Sequence, residues 1–372
     1  MARQNVGTPR FYIDLLSYWQ AKGNIKGAGF PYESDPEIHH VGGDTYHANL
    51  IGLNPTDYVK QDFEYDPNEI IRVEFKEDIL VPHNSSDQFF FGYLGHNFKN
   101  INLKDIKLKV HSNDSNETAD INYNELVNLR DHGNAEVDMD GWSLASFYDL
   151  GDISISYIDF EMTSIDAENS GVREDIETYI GSLAFGSIFE MPNSPDLELT
   201  MSRTYEGISS QQTRGGSTLT QINYSKPADW LGRPAWELYE IGVSEPGTRY
   251  SARGRRSWAL SFSYIDGDDL FAVNESAGVE TQSNVSYISS AGYSSSNFYY
   301  SDFAEDMMRS NSFLAVVMEK TMGGALPFIF QPDGNNRALD QFAICTIDQN
   351  SFTFNQVANN VYSVSMNITE TW

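Results

Sequence analysis

The stretch that decides the fold is the C-terminal run FAICTIDQNSFTFNQVANNVYSVSMNITETW, residues 342–372. Residues 361–372 alternate in character. Apolar side chains occupy one face, which is interrupted only by Glu370, and short polar side chains occupy the other. The apolar positions are Tyr362, Val364, Met366, Ile368 and Trp372. A period of two with one apolar face predicts an antiparallel strand that is buried on one side and wet on the other.

This strand needs partners, and the sequence offers one upstream together with a helix. Trp258, Leu260, Phe262 and Tyr264 alternate with Ala and Ser, which predicts a second half-buried strand. Residues 301–322 carry helical spacing that Asn311-Ser312 interrupts, so we expect one kinked helix or two short ones. Residues 191–372 are therefore predicted to form a C-terminal antiparallel β domain with one or two short helices.

The N-terminal half is predicted to be a β-sandwich over residues 61–190, preceded by an extended segment, residues 1–60. Short apolar or alternating runs recur there between polar turns, as is typical of sandwiches. They are Ile70–Phe75, Phe89–Leu94, Ile106–Val110, Ile153–Phe160 and Tyr179–Phe189. Residues 197–205 and 217–224 are interpreted as a hairpin with its tip at 211–216. The predicted fold class is mainly β.

Two groups of motifs carry a resemblance to phage proteins. The run Arg255-Arg-Ser-Trp258, the run Leu326–Pro332 (LPFIFQP) and the closing Glu370-Thr-Trp372 resemble the C-terminal domain of tailed-bacteriophage distal tail and minor tail proteins. The run Tyr93–Phe98 (YLGHNF) resembles a feature of discoidin-like sandwiches in virion proteins. The resemblance implies a virion structural protein, made in the host cytoplasm, that forms a ring in the tail, tail tip or baseplate with other tail proteins.

Composition limits the classes of partner. The chain has 372 residues, with 53 acidic and 24 basic residues and a net charge of −29. Such a chain should not bind nucleic acid electrostatically. No apolar run reaches the length of a membrane span, and the start MARQNV lacks the apolar core of a signal peptide. The lone Cys345 lies in a predicted strand, which indicates a buried residue that is not reactive.

No catalytic, cofactor or metal site is predicted, and we expect the protein not to be an enzyme. The sequence lacks nucleophile-elbow, P-loop, dinucleotide-binding and zinc-protease motifs. The histidines His39, His40 and His47 fit surface loops better than a metal site. Residues 136–140 resemble half of a calcium loop, but Phe147 stands where an EF-hand needs Glu, so only a looser calcium site remains open.

The candidate functional residues are therefore interface residues. Aromatic side chains in the N-terminal segment and arginines in a basic turn are predicted to make head-to-tail contacts between copies in a ring. They are Phe30, Tyr32, Tyr46, Arg253, Arg255 and Arg256. The alternative function is a carbohydrate-binding adsorption module that contacts host surface glycans. A secreted β-sandwich hydrolase is a third reading, for which the sequence provides no motif.

Overall fold

The computed structural model describes most of the chain. The described residues are 7–30, 47–55, 57–63, 68–81, 87–98, 103–112, 118–121, 125–126, 141–148, 150, 154–164, 176–197, 199–204, 208–222, 255–271, 310–336 and 341–371.

Strands dominate these residues, and every strand pairing among them is antiparallel. The predicted mainly-β fold class is therefore confirmed. The elements in chain order are β1 (Arg10–Asp14), α1 (Leu15–Ala21), β2 (Ile25–Gly29), β3 (Val59–Phe63), β4 (Asn68–Leu80), β5 (Gln88–His96), β6 (Leu103–His111), β7 (Thr118–Ile121), β8 (Glu125–Leu126), β9 (Gly141–Tyr148), β10 (Ser154–Ser164), β11 (Ile176–Ile180), β12 (Ser182–Glu190), β13 (Thr200–Thr204), β14 (Ile208–Gln212), β15 (Thr218–Ile222), β16 (Arg255–Asp266), α2 (Gly267–Leu270), β17 (Phe328–Gln331), β18 (Ala343–Ile347), β19 (Thr353–Ala358) and β20 (Val361–Glu370).

One large sheet runs through the molecule. Its eleven strands follow the order β13-β16-β20-β18-β17-β1-β12-β5-β9-β8, with β19 as a further partner of β20. A smaller sheet has the order β2-β4-β10-β6-β7. Two short pairs, β11–β3 and β14–β15, complete the described strands. The large sheet thus contains strands from all three predicted segments, 1–60, 61–190 and 191–372.

The N-terminal half is a two-layer sandwich. Apolar side chains of β5, β9 and β12 from the large sheet share one core with those of β4, β6 and β10 from the small sheet. The run Phe89–Leu94 is apolar throughout because both of its faces are buried: Phe89, Phe91 and Tyr93 point into this core, while Phe90 and Leu94 join a second cluster behind the sheet. This is the pattern expected of a strand with no wet face.

β1 joins the two halves. It pairs with β12 of the sandwich on one side and with β17 of the C-terminal half on the other. α1 follows directly, and buried Asp14 caps it by accepting hydrogen bonds from the amides of Leu16 and Ser17 at 3.3 and 3.0 Å. Within the N-terminal segment, the aromatic-rich residues 9–19 can be read from sequence as a strand that leads into a short helix, and they form β1 of the large sheet and α1, whose apolar side chains join the sandwich core.

The C-terminal half has the predicted alternation. Tyr362, Val364, Met366 and Ile368 on β20 are buried against a cluster that includes Phe313 and Val317. Of the predicted helix 301–322, residues 301–309 lie outside the described residues, as does Trp372. The rest contains a π-helical turn over Leu314–Met318, which leads into further turns. Consecutive positive φ angles at Met322, Gly323 and Gly324 follow this segment.

Two sequence interpretations were wrong about which strands pair. The predicted strand Tyr179–Phe189 is divided at Gly181 between β11 and β12, which belong to different sheets. The predicted hairpin does contain β15, but its other strand is β14; residues 200–204 form β13 and pair with β16 instead. The physical reason is common to both cases: local alternation identifies a strand without identifying its partner.

Candidate interaction surfaces

The outer side of the C-terminal half presents a face of short polar side chains, which we call the hydroxyl face. The strand registers place its members side by side, opposite the buried apolar positions of the same strands. All are exposed or half-buried, and none is ionisable. They are Thr200, Ser202 and Thr204 of β13; Ser257, Ala259, Ser261 and Ser263 of β16; Ser363, Ser365, Asn367 and Thr369 of β20; and Thr353 and Asn355 of β19.

Hydroxyl pairs link neighbouring strands across this face. The Oγ atoms of Ser202 and Ser257 lie 2.7 Å apart, and Thr353 Oγ1 lies 2.6 Å from Ser365 Oγ. Hydroxyl groups both donate and accept, so each retains capacity for a further hydrogen bond. In a chain with a net charge of −29, the members of the hydroxyl face are uncharged and rich in hydrogen-bonding groups.

Tyr264 stands beside the hydroxyl face in an unusual conformation. Its φ angle is +63°, which is rare for a bulky side chain and costs about 1–3 kcal/mol. The β16–β20 register shifts here, so Ile265 takes the buried position and Tyr264 points outward with 75% of its surface exposed. The sequence interpretation, which placed Tyr264 on the buried face with Phe262, was therefore wrong because the alternation does not reveal the bulge.

Asp196 holds this bulge in place. Its carboxylate accepts hydrogen bonds from Ser261 Oγ at 3.0 Å, from Ser263 Oγ at 2.9 Å and from the Ser263 amide at 3.3 Å. The Asp196 amide donates to the Ser261 carbonyl at 2.8 Å, and Asn193 Nδ2 donates to the Tyr264 carbonyl at 3.4 Å. These contacts fix the backbone on both sides of the strained residue, so the point from which the exposed side chain projects is fixed.

The hairpin β14–β15, residues 208–222, forms a second candidate surface, which we call the arm. Its strands pair only with each other among the described strands. Its described side chains, those of residues 209–221, are exposed except for half-buried Thr213. The side chains of the end residues, Ile208 and Ile222, are not among those described. Leu219 is 62% exposed. The arm contains one charged residue, Arg214 at its tip, and no acidic residue.

The structure divides the residues that sequence reasoning assigned to an interface. Phe30 is half-buried against the sandwich core and contacts the ring of His47, with the centroids 6.1 Å apart. Arg255 is half-buried and pairs in register with Thr204, at the border of the hydroxyl face. Tyr32, Tyr46 and Arg253 lie outside the described residues.

Arg256 is not a surface residue, and its assignment to an interface is corrected. Its guanidinium contacts both carboxylate oxygens of Glu370, through Nε at 3.2 Å and Nη2 at 3.1 Å, and its amide donates to the same carboxylate at 2.9 Å. Nη2 also donates to the Phe342 carbonyl at 3.1 Å. Both side chains are almost fully buried. Glu370, which interrupts the apolar face of β20, is thus the partner of a buried arginine.

A charged network that the sequence reasoning missed covers the outer face of the small sheet. Arg72 makes two hydrogen bonds of 2.7 Å to Asp159, and His111 Nε2 lies 3.0 Å from the same carboxylate. The Arg72 guanidinium also lies over the Tyr157 ring, 4.0 Å from its centroid. Burial alone would raise the pKa of Asp159, but the bonds from Arg72 and His111 outweigh it and lower this pKa. The register of β4, β6 and β10 creates this cluster.

His96, which lies in the run Tyr93–Phe98, and Cys345 are structural residues. His96 is fully buried, lies 2.9 Å from Ser143 Oγ and stacks on Phe98. Its burial lowers its pKa to about 3, so the ring is neutral at ordinary pH. Cys345 is fully buried, and burial raises the pKa of its thiol well above the ordinary value. Neither side chain is placed to react with a molecule in solution.

Neither a metal site nor a membrane span is found among the residues with described positions. There, no group of three His, Cys, Asp or Glu side chains is arranged to hold a metal ion. No helix in that part of the chain is long and apolar enough to cross a membrane. The looser calcium site at residues 136–140 lies outside the description, as do His39 and His40.

Comparison with known proteins identifies no family. No family model matches the sequence, and no curated protein matches it.

Proposed function

We propose that this protein is a virion structural component of a tailed bacteriophage, a tail or tail-tip ring protein that assembles from copies of itself. The observation that carries the proposal is the arm. A hairpin with exposed side chains pairs with no other described strand and contributes no residue to the described cores. The phage resemblance of the C-terminal motifs supplies the class of assembly.

The arm by itself should be only marginally stable. A two-stranded hairpin by itself is marginally stable in water, because it buries little apolar surface against the entropy of ordering its backbone. This arm has five-residue strands whose side chains are mostly Ser, Thr and Gln. Contact with another molecule would stabilise it and would cover exposed Leu219. An element of this kind fits an assembly protein better than an isolated monomer.

Net charge also favours the arm as the contact between copies. Two copies of a chain with a net charge of −29 repel each other, so contacts between them should form where acidic groups are absent. The arm is such a place, since its net charge is +1 from Arg214 alone. An arm that reaches from each copy to the next gives a head-to-tail contact, and a closed set of such contacts is a ring.

The test is the mass of the full-length protein by light scattering over a range of concentrations, at low and high salt. We expect the natural chain to form a defined oligomer. A variant with residues 208–222 replaced by a short Gly-Ser linker should remain monomeric with its cores intact. Arg214→Lys keeps the charge and should assemble normally, whereas Arg214→Glu should assemble less well, most clearly at low salt.

Incorporation into phage particles is the second readout. The natural chain should be found in purified particles at a fixed number of copies, and the variant without the arm should be absent. A natural chain that stays monomeric at every concentration and is missing from particles would contradict the proposal. If that chain instead bound host glycans in an array, the carbohydrate-binding alternative would replace the tail function.

A further inference from the structure

The hydroxyl face and the arm are complementary in chemistry. The face presents uncharged hydroxyl and amide groups, with the Asp196 carboxylate bonded to two of its serines, and the arm presents Ser, Thr and Gln side chains without an acidic group. Groups of this kind both donate and accept hydrogen bonds, directly or through water. In the described part of a single copy, both surfaces remain open to solvent.

Each surface also carries one large exposed apolar group. On the arm, register pairs Leu219 with Gln211, on the side that also carries Ser209 and Gln221. Beside the face, the bulge presents Tyr264 with its backbone fixed by Asp196. An exposed, rigid tyrosine is the type of residue that contributes most to protein interfaces, because little side-chain entropy is lost when it is covered.

The dimensions agree as well. The arm strands have five residues each, which corresponds to a length of about 17 Å at about 3.4 Å per residue. The face spans four strands, β13, β16, β20 and β19, and three spacings of about 4.8 Å make it about 14 Å wide. Laid along the strands of the face, whose β20 members run from Ser363 to Thr369 over about 24 Å at about 3.4 Å per residue, the arm fits in length, and its two strands, about 5 Å apart, fit in width.

We propose that the hydroxyl face binds the arm of a second copy of this chain, with Leu219 of the arm packed on Tyr264. This inference rests on the proposed function and names the surface that receives the arm. Charge favours the arm of a second copy as the occupant, because the arm carries a net charge of +1 from Arg214 and the receiving surface carries the Asp196 carboxylate beside Ser261 and Ser263. At the end of β16, Asp266, Asp268 and Asp269 add a negative potential that attracts Arg214.

The first experiment removes the ring of Tyr264 without straining the fold. Tyr264→Gly relieves the positive φ angle, so the urea midpoint of the variant should be no lower than that of the natural chain. Its assembly, followed by light scattering, should weaken by about tenfold or more. Tyr148, which is 52% exposed at the end of β9, provides the matched control: Tyr148→Ala should assemble normally.

The second experiment adds a negative charge to the face. Ala259 is exposed at its centre, so Ala259→Glu should reduce assembly by about tenfold or more without affecting the core. Gln20→Glu adds the same charge at an exposed site on α1 and should leave assembly unchanged.

The third experiment tests the contact directly. Cys345 is buried and is the only cysteine in the chain, so introduced thiols can be followed alone. Chains with Leu219→Cys are mixed with chains carrying Ser363→Cys, which is next to the bulge, and are oxidised in air. A disulfide should link the two kinds of chain, whereas Tyr148→Cys in place of Ser363→Cys should give none.

The outcomes separate this inference from the proposed function. If the natural chain assembles but the Tyr264 and Ala259 variants assemble equally well and no cross-link forms, the arm binds elsewhere and this inference is wrong. If the natural chain does not assemble at all, the proposed function fails and the inference fails with it. A cross-link together with the loss of assembly in both variants would establish the contact.

Discussion

Replacing Arg256 should severely destabilise the protein, because it breaks a buried ion pair. The side chains of Arg256 and Glu370 are 6% and 2% exposed, so water cannot replace a lost partner. In Arg256→Ser, the Glu370 carboxylate loses two guanidinium contacts and the Phe342 carbonyl loses a donor. Removing one partner of a buried pair costs about 3–5 kcal/mol, so we expect the free energy of unfolding to fall by that amount.

A double variant separates this cost from the value of the pair itself. Arg256→Met combined with Glu370→Leu replaces both charges with apolar groups of similar volume. Such replacements are often neutral or stabilising, so the double variant should regain most of the stability lost in Arg256→Ser. Arg255→Ser is the matched control for an adjacent, half-buried arginine, and it should cost about 1 kcal/mol or less.

The measurement is urea unfolding of the full-length chain, monitored by far-ultraviolet circular dichroism at a concentration where every variant has the same oligomeric state. Two results would refute the reasoning. One is a loss below about 1 kcal/mol in Arg256→Ser, which would mean that the site admits water. The other is a double variant as unstable as Arg256→Ser, which would mean that the lost packing, and not the unpaired charge, is the cause.

Three further predictions concern the rest of the fold. Burial lowers the pKa of His96 from 6.5 to about 3, so between these pH values the unfolded chain binds a proton that the folded chain does not bind. The free energy of unfolding should therefore fall as the pH drops below 6.5, by about 2 kcal/mol at pH 5, and urea unfolding of His96→Gln should lack this contribution. An added Cβ at Gly186 would lie 1.8 Å from the Ile13 carbonyl oxygen, so Gly186→Ala should lower the free energy of unfolding by about 3 kcal/mol; an unchanged urea midpoint would contradict this close packing of β1 on β12. Because β1 and α1 complete the sandwich, the fragment 7–190 should show amides protected from exchange, whereas 61–190 alone should show few; equal protection would mean that the sandwich needs no N-terminal segment.

The sequence by itself determined the strands whose two faces differ. β20 and most of β16 follow directly from alternation, because a half-buried strand must place its apolar side chains at every second position. The same alternation marked both residues of the buried ion pair, Arg256 and Glu370, but did not show that they contact each other. Glu370 interrupts an apolar face, and Arg256 is in phase with Trp258, yet only the pairing of β16 with β20 brings them together.

Only the tertiary structure determined the other features, because they depend on which strands pair and in which register. The central position of β1, the division of residues 176–190 between two sheets and the network of Arg72, Asp159 and His111 all depend on strand partners that are distant in sequence. The exposure of Tyr264 depends on one extra residue that shifts the register of β16. A period-two pattern records which side chains share a face, but it does not record which strand lies alongside, and the candidate surfaces are made from strands that lie side by side.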